Sequence, residues 1–354
     1  MTATIRSVAE AAGVSITTVS FVLSNKHPQV DAISKDTCER VKACAAALGY
    51  SRKTTAAAHG CGRSQLIGIL LQPPDDETKI VFASPYDLSL LSGTQKALFE
   101  KGYFLAIGSE YPKEDTESLD RMISAGVSGV IFRCPSLCNV KRAQELINNG
   151  IPAVAIFPSE RDHLYPCSVD MDNFKAGQLA GELFVKAGRK KPLYISAGSN
   201  NRLIRERAGG FCEAIKRELG KEPAGFELPN WEITPSMAEI VKGLSHSLPD
   251  AVLCTDSGSA FLTSLAAERM GISVPDDLAI IGFDCYAIRG AHQQRISSIG
   301  ASWWEAGQVA AEGIIDRICN VNDWTEPKIV EPRFVWGHTT PPELAEGYPL
   351  PWTV

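Results

Sequence analysis

No stretch of this 354-residue chain is long and apolar enough to suggest a membrane span. Its longest apolar run, Leu66–Leu71, falls far short of the roughly 18 residues that cross a bilayer. No secretory leader is expected either, because Glu10 falls where its apolar core would lie, and a cytoplasmic protein with no membrane partner is the expectation. Ten cysteines are spread along the chain without a C-x-x-C pair, which argues for reduced thiols rather than a disulfide framework. Cys134 and Cys138 lie closest together but have no histidine cluster beside them, so no metal site is expected. There is no G-x-S-x-G, P-loop, H-E-x-x-H or complete G-x-G-x-x-G after a strand. Gly60-Cys61-Gly62 precedes its strand and reads as a flexible joint. The common hydrolase, nucleotide and metalloprotease signatures are thus lacking, and neither an enzyme nor a cofactor is expected.

What is present is an ordinary globular composition, 44% apolar and 21% charged, in a length that suits two or three domains. The net charge of −6 is unevenly placed. Residues 1–63 carry eight Lys/Arg against four acids, and the remainder carries 27 against 37. A small basic head on an acidic body suggests a polyanion-binding unit attached to something else. Ile5, Val8, Ala9 and Ala12 recur at helical spacing behind Thr4, a candidate N-cap, and the run stops at Gly13. Ser15 is placed to cap a second helix burying Val19, Val22 and Leu23 and offering Ile16, Thr17, Thr18, Ser20 and Phe21 outward. A third helix starts near Ser34, buries Val41, Ala45 and Leu48, and ends at Gly49-Tyr50. Two short helices about a glycine turn describe a helix-turn-helix.

The string from Thr4 to Ser20, T-I-R-S-V-A-E-A-A-G-V-S-I-T-T-V-S, resembles the head of the LacI/GalR repressor family, T-I-x-D-V-A-x-x-A-G-V-S-x-x-T-V-S. Ser34, Thr37, Glu39-Arg40-Val41 and Leu48-Gly49-Tyr50 continue the match. The resemblance implies that the second helix enters the major groove and that the head is half of a symmetric dimer. It assigns phosphate contacts to Ser15, Thr18 and Ser24 and base reading to Ile16 and Thr17, with Thr4 and Phe21 also at the DNA. Hydroxyls bond phosphate or base edges, and Ile16 suits a thymine methyl. The chain departs from the family at Phe21, where arginine is usual, and in a longer loop from Ser24 to Ser34. In the linker, Arg52 and Lys53 can meet phosphate, and His59 stands where a leucine wedge would enter the minor groove.

After Ser64, apolar runs at Leu66–Leu71, 104–107, 127–132, 153–157, 193–195, Ala251–Cys254 and 278–283 alternate with helical stretches. Buried strands alternating with helices give parallel sheets, and the two similar halves imply two lobes. The expected fold class is therefore a small all-α helix-turn-helix head followed by an α/β body of two doubly wound parallel-sheet lobes. Expected boundaries are 1–50 for the head, 51–65 for the linker, 66–340 for the body and 341–354 for an extended tail. The family resemblance extends through the body, which looks like a periplasmic-binding-protein-like effector domain. It implies three crossovers, dividing the body into a first lobe (66–163 and 297–325) and a second (164–296 and 326–340).

Ligands of open α/β sheets lie outside the carboxyl ends of the strands. Tyr86, Arg205, Asp256 and Asp284 fall there, with Trp231 on a loop between lobes. Carboxylates and a guanidinium can bond vicinal hydroxyls while an aromatic face covers the C–H side of a ring, so a sugar is the expected effector. The family's aspartate after strand four and its glutamine near 301 are replaced here by Phe157 and Ala301. The expected function is a ligand-responsive homodimeric repressor on a palindromic operator. The alternatives are a solute-binding receptor and a DNA-binding protein without an effector.

Overall fold

A computed structural model of the chain describes residues 4–24, 33–48, 64–71, 85–109, 117–134, 137–159, 167–198, 201–229, 233–284, 295–320, 324 and 326–346. It separates into two units, Met1–Ser64 and Gln65–Val354.

The first unit holds helices α1 (Ile5–Ala12), α2 (Ile16–Ser24) and α3 (Lys35–Ala47). Thr4 caps α1 reciprocally: its hydroxyl accepts from the Ser7 amide at 3.2 Å, and the Ser7 hydroxyl accepts from the Thr4 amide at 2.8 Å. Gly13 takes φ 63°, and its amide closes the helix on the Ala9 and Glu10 carbonyls, a left-handed turn that glycine enters without steric cost. Val8, Ala9, Ala12, Val19, Val22, Val41 and Ala45 form the core. Leu48 was expected there but is 42% exposed, because it follows the last turn of α3.

The second unit contains two six-stranded sheets built to one plan. The strands of the first are β1 (Leu66–Leu71), β2 (Phe104–Ser109), β3 (Gly129–Arg133), β4 (Ala153–Ile156), β5 (Ser168–Asp170) and β11 (Lys328–Ile329). Those of the second are β6 (Pro192–Ala197), β7 (Ala224–Leu228), β8 (Ala251–Cys254), β9 (Ala279–Phe283), β10 (Ser297–Gly300) and β12 (Arg333–Val335). Their orders are β2-β1-β3-β4-β5-β11 and β7-β6-β8-β9-β10-β12. Each winds outward from its first strand in both directions. All pairings are parallel except β10 with β12.

The lobe boundaries differ from expectation at three strands. Residues 168–170 complete the first sheet instead of starting the second lobe, 297–300 complete the second, and 328–329 return to the first. The chain crosses between lobes near 171–172, 301–302 and 330–332. At the first two crossings the fifth strand continues the winding of the fourth before the chain leaves the sheet. These strands are short and polar (Ser-Val-Asp, Ser-Ser-Ile-Gly) and carry no apolar run to announce them. The extended tail is corrected in part as well, since Pro342–Ala345 forms a 3-10 turn that buries Leu344.

The helices between strands are α4 (Pro85–Glu100), α5 (Glu117–Ser124), α6 (Leu137–Asn148), α7 (Asn173–Lys186), α8 (Arg202–Leu219), α9 (Ile233–Ser247), α10 (Ser257–Arg269) and α11 (Trp303–Ile318). Two pairs cross at glycine contacts, α4 with α11 and α7 with α8. A Cβ on Gly93 would collide with the Trp304 carbonyl, and one on Gly177 with the Arg207 carbonyl. These contacts set the backbone that carries Trp303 in one lobe and Arg207 in the other.

Candidate functional site

In the head, the first turn of α2 faces outward. Ile16 is 43% exposed, Ser15 and Thr17 are also exposed, and Thr18 is half-buried. The Ser15 hydroxyl accepts from the Thr18 amide at 3.1 Å and lies 2.9 Å from the Thr18 hydroxyl, so it caps α2 as its sequence position suggests. Phe21 is half-buried rather than fully outward. Arg52, Lys53, His59 and Trp231 lie outside the described residues, as does the side chain of Ser24.

In the body, a cavity of about 500 Å³ opens between the two sheets at the carboxyl ends of their strands. The first lobe gives it an aromatic wall. Trp303 stacks on Tyr86 with centroids 5.4 Å apart and meets Phe157 edge-on at 4.7 Å. Arg133 lies over Trp303 at 5.1 Å and pairs with buried Asp87 at 2.7 Å. Burial pushes the Asp87 carboxyl above its ordinary range, against the pull of Arg133.

The second lobe gives the cavity a charged wall. Arg207 rests on the Phe283 ring at 4.2 Å. It donates through Nε to Asn173 Oδ1 and through Nη1 to the Thr255 carbonyl, both at 2.9 Å, and lies 3.7 Å from Asp284. Asp256 caps α10, accepting from the Ser259 amide at 2.8 Å and the Ser259 hydroxyl at 2.5 Å. Burial raises the Asp284 carboxyl, opposed first by Arg207, and raises Asp256, opposed first by the Ser259 hydrogen bonds. The Trp303 indole N–H leans toward Asp284 without a well-formed hydrogen bond.

The cavity thus brings together Tyr86, Asp256 and Asp284. Arg205 is not among its lining residues; it is exposed on α8. Arg207 occupies the site instead, two residues on, because a helix turns about 200° over two residues and so reverses the face presented. The other lining arginine, Arg133, and the aromatic Trp303 carried no recognisable pattern in the sequence. Three lining residues take left-handed backbone at strand ends: Cys134 (φ 45°), Phe157 (φ 49°) and Asp284 (φ 56°). Non-glycine residues held so cost about 1–3 kcal/mol each and cluster at binding sites. Among the described residues no group of His, Cys, Asp and Glu side chains could hold a metal ion.

The lobes are pinned together beside this cavity. Arg202, at the start of α8 in the second lobe, donates to the Pro158 carbonyl at 3.0 Å and to Asp170 of β5 at 2.7 Å, and its other arm reaches Glu206 at 2.8 Å. Arg202 and Asp170 are both buried.

A helix-turn-helix head joined in one chain to a two-lobed body with an interlobe cavity defines a ligand-responsive transcriptional regulator. Residues 4–53 match the model of bacterial regulatory proteins, lacI family, and residues 182–340 match the periplasmic binding protein-like domain. The chain thus carries a lacI-family helix-turn-helix domain and a periplasmic binding protein-like domain. It is 25% identical over 337 residues to the HTH-type transcriptional repressor PurR of Klebsiella pneumoniae, covering 94% of this chain and 95% of that protein. The fold is shared with the lac repressor dimer bound to operator and the anti-inducer ONPF (TM-score 0.74, 19% identity, 96% of this chain and 99% of the other). It is shared too with a CelR–cellobiose complex (TM-score 0.64, 21% identity, 95% and 99%). Among the described residues no single helix is long and apolar enough to cross a membrane.

Proposed function

We propose that the protein is a cytoplasmic, homodimeric repressor that binds a palindromic operator and is switched by a sugar held between its lobes. It acts by binding rather than catalysis. One observation carries this reading: a single chain couples an outward-facing first turn of α2 to a cavity with an aromatic wall on one lobe and hydroxyl-bonding groups on the other.

In the head, Ile16 and Thr17 read base edges, with Phe21 at the rim. Thr4, Ser15, Thr18, Ser24, Arg52 and Lys53 serve the backbone, and His59 takes the hinge position. The apolar face of a sugar ring lies on Trp303, and its hydroxyls meet Arg207, Asp284 and Asp256, with Tyr86 and Trp231 as further ligand contacts. Bridging the lobes favours one closure state, and the ligand biases DNA binding by its differential affinity for the two states, a coupling of typically ~1–3 kcal/mol. The PurR relatives are transcriptional repressors, the lac repressor structure is a dimer on operator, and the CelR structure holds cellobiose; each supports the same reading for this chain.

The test pairs two variants of the full-length protein against genomic operator fragments selected by the wild type. Ile16→Ala with Thr17→Ala should weaken selective binding and leave sugar-induced melting shifts intact. Arg207→Ala should keep operator binding and abolish the shifts. Unchanged operator selectivity in the head variant, or an undiminished sugar shift in Arg207→Ala, overturns the assignment.

A further inference from the structure

Each cation in the described cavity wall already has an opposite charge beside it. Of its described lining residues, only Arg133 and Arg207 are cationic. Arg133 is held at 2.7 Å by Asp87, with both side chains 7% exposed. Arg207 faces Asp284 at 3.7 Å, and two of its donors are committed to Asn173 and the Thr255 carbonyl. Asp256 adds a third carboxylate, whose own hydrogen bonds come only from the start of α10. With all groups ionised the two arginines and two carboxylates of the lining balance, Asp87 behind Arg133 tips the set one charge negative, and among the described residues of the aromatic side the one lining cation is the arginine that Asp87 neutralises.

A phosphate or carboxylate entering this space has two routes, both unfavourable. It can sit near Asp256 and Asp284, where like charges repel strongly in a poorly hydrated setting. Otherwise it must displace Asp284 from Arg207, leaving a buried carboxylate without its partner. A neutral ring meets neither cost. Its hydroxyls can donate to Asp256 and Asp284 and accept from the remaining Arg207 N–H groups. The position of Phe157 sharpens the point. It stands in the first lobe where Asp284 stands in the second, on equivalent left-handed backbone after the fourth strand of each sheet, so at this position one side of the cavity offers a ring where the other offers a carboxylate.

We propose that this cavity selects uncharged sugars and rejects the phosphorylated or carboxylated forms of the same ring. This rests on the sugar-binding reading above and adds to it the sign of charge the ligand must lack.

The test measures melting temperature and binding heat for the full-length protein with a panel of neutral mono- and disaccharides. Each is set beside its monophosphate and its uronic acid at neutral pH. At least one neutral sugar should bind, and its charged derivatives should bind about tenfold or more weakly. The double variant Asp256→Asn/Asp284→Asn keeps an N-cap at 256 and a residue that tolerates left-handed backbone at 284. It should narrow or reverse that preference, because Arg207 is then left without a counter-ion; circular dichroism confirms that it folds. A wild-type protein that binds a phosphate or uronate as tightly as its parent sugar overturns the proposal while leaving the sugar reading in place. So does a double variant that folds and keeps the full discrimination. If no sugar of either kind binds, the sugar reading itself fails and this inference goes with it.

Discussion

The two lobes of the body share a backbone plan and differ in what they present. Phe157 follows β4 with φ 49°, and its amide bonds the Val169 carbonyl of β5; Asp284 follows β9 with φ 56°, and its amide bonds the Ile299 carbonyl of β10. One device, a left-handed residue that turns the chain out of the fourth strand, delivers an aromatic ring on one side and a carboxylate on the other. Each lobe also crosses one helix pair at a glycine, Gly93 against Trp304 and Gly177 against Arg207. The repeat supplies geometry, and single substitutions within it supply chemistry. Opposed walls of unlike character then suit a ring with one apolar face and one hydroxylated edge.

The sharpest way to break this picture is to cut the pin that joins the lobes. Arg202→Ala takes the guanidinium away from buried Asp170 and should cost about 3–5 kcal/mol in urea unfolding of the full chain. The exposed interlobe pair Arg333–Glu305 should matter far less, with Arg333→Ala costing under about 1 kcal/mol. Comparable losses would mean that burial is not what makes the Arg202 contact strong.

The parallel between the lobes predicts matched penalties for matched glycines. Gly93→Ala and Gly177→Ala both force a Cβ into a facing carbonyl, and each should destabilise by about 1–3 kcal/mol. Calorimetry with and without a bound sugar checks this. A loss in only one variant would show that the second crossing relaxes freely and that the two lobes are not packed alike.

The smallest effect is in pH dependence. Burial raises the Asp284 carboxyl, so the native state holds its proton more tightly than the unfolded chain does. That contribution is fully present below the ordinary carboxylate pKa of about 3.9 and is lost as pH rises through the folded value. Asp284→Asn removes it, so the melting temperature of the variant should gain on the wild type as pH rises from about 4 toward neutrality. A difference that is flat, or that runs the other way, would show that Arg207 outweighs burial at this site. Phe157, its counterpart, has no proton to exchange and supplies the comparison.

Much of this was legible beforehand. The head was readable in detail because its signals are local: Thr4 three residues before Ser7, Gly13 at a forced turn, and Val8, Ala12, Val19 and Val41 at helical intervals. The central strands were readable because both faces of a parallel sheet are buried, so β1, β3, β4, β8 and β9 are continuous apolar runs. The outer strands β5, β10 and β11 were not, being short and partly polar at the margins where the chain changes lobe. In the cavity, Tyr86, Asp256 and Asp284 followed from their places at strand or helix ends, whereas the choice between Arg205 and Arg207 depended on which face of α8 meets the cleft.

Local periodicity and turn chemistry were enough to specify a three-helix head and a repeated α/β body, since such patterns depend on neighbours a few residues apart. Only the packed molecule decided that Trp303 and Arg133 meet Tyr86 and Phe157, that Arg207 rather than Arg205 reaches the cavity, and that Arg202 joins the lobes. Those groups are brought together by crossovers between sheets, and contacts between residues far apart in a chain leave no periodic trace along it.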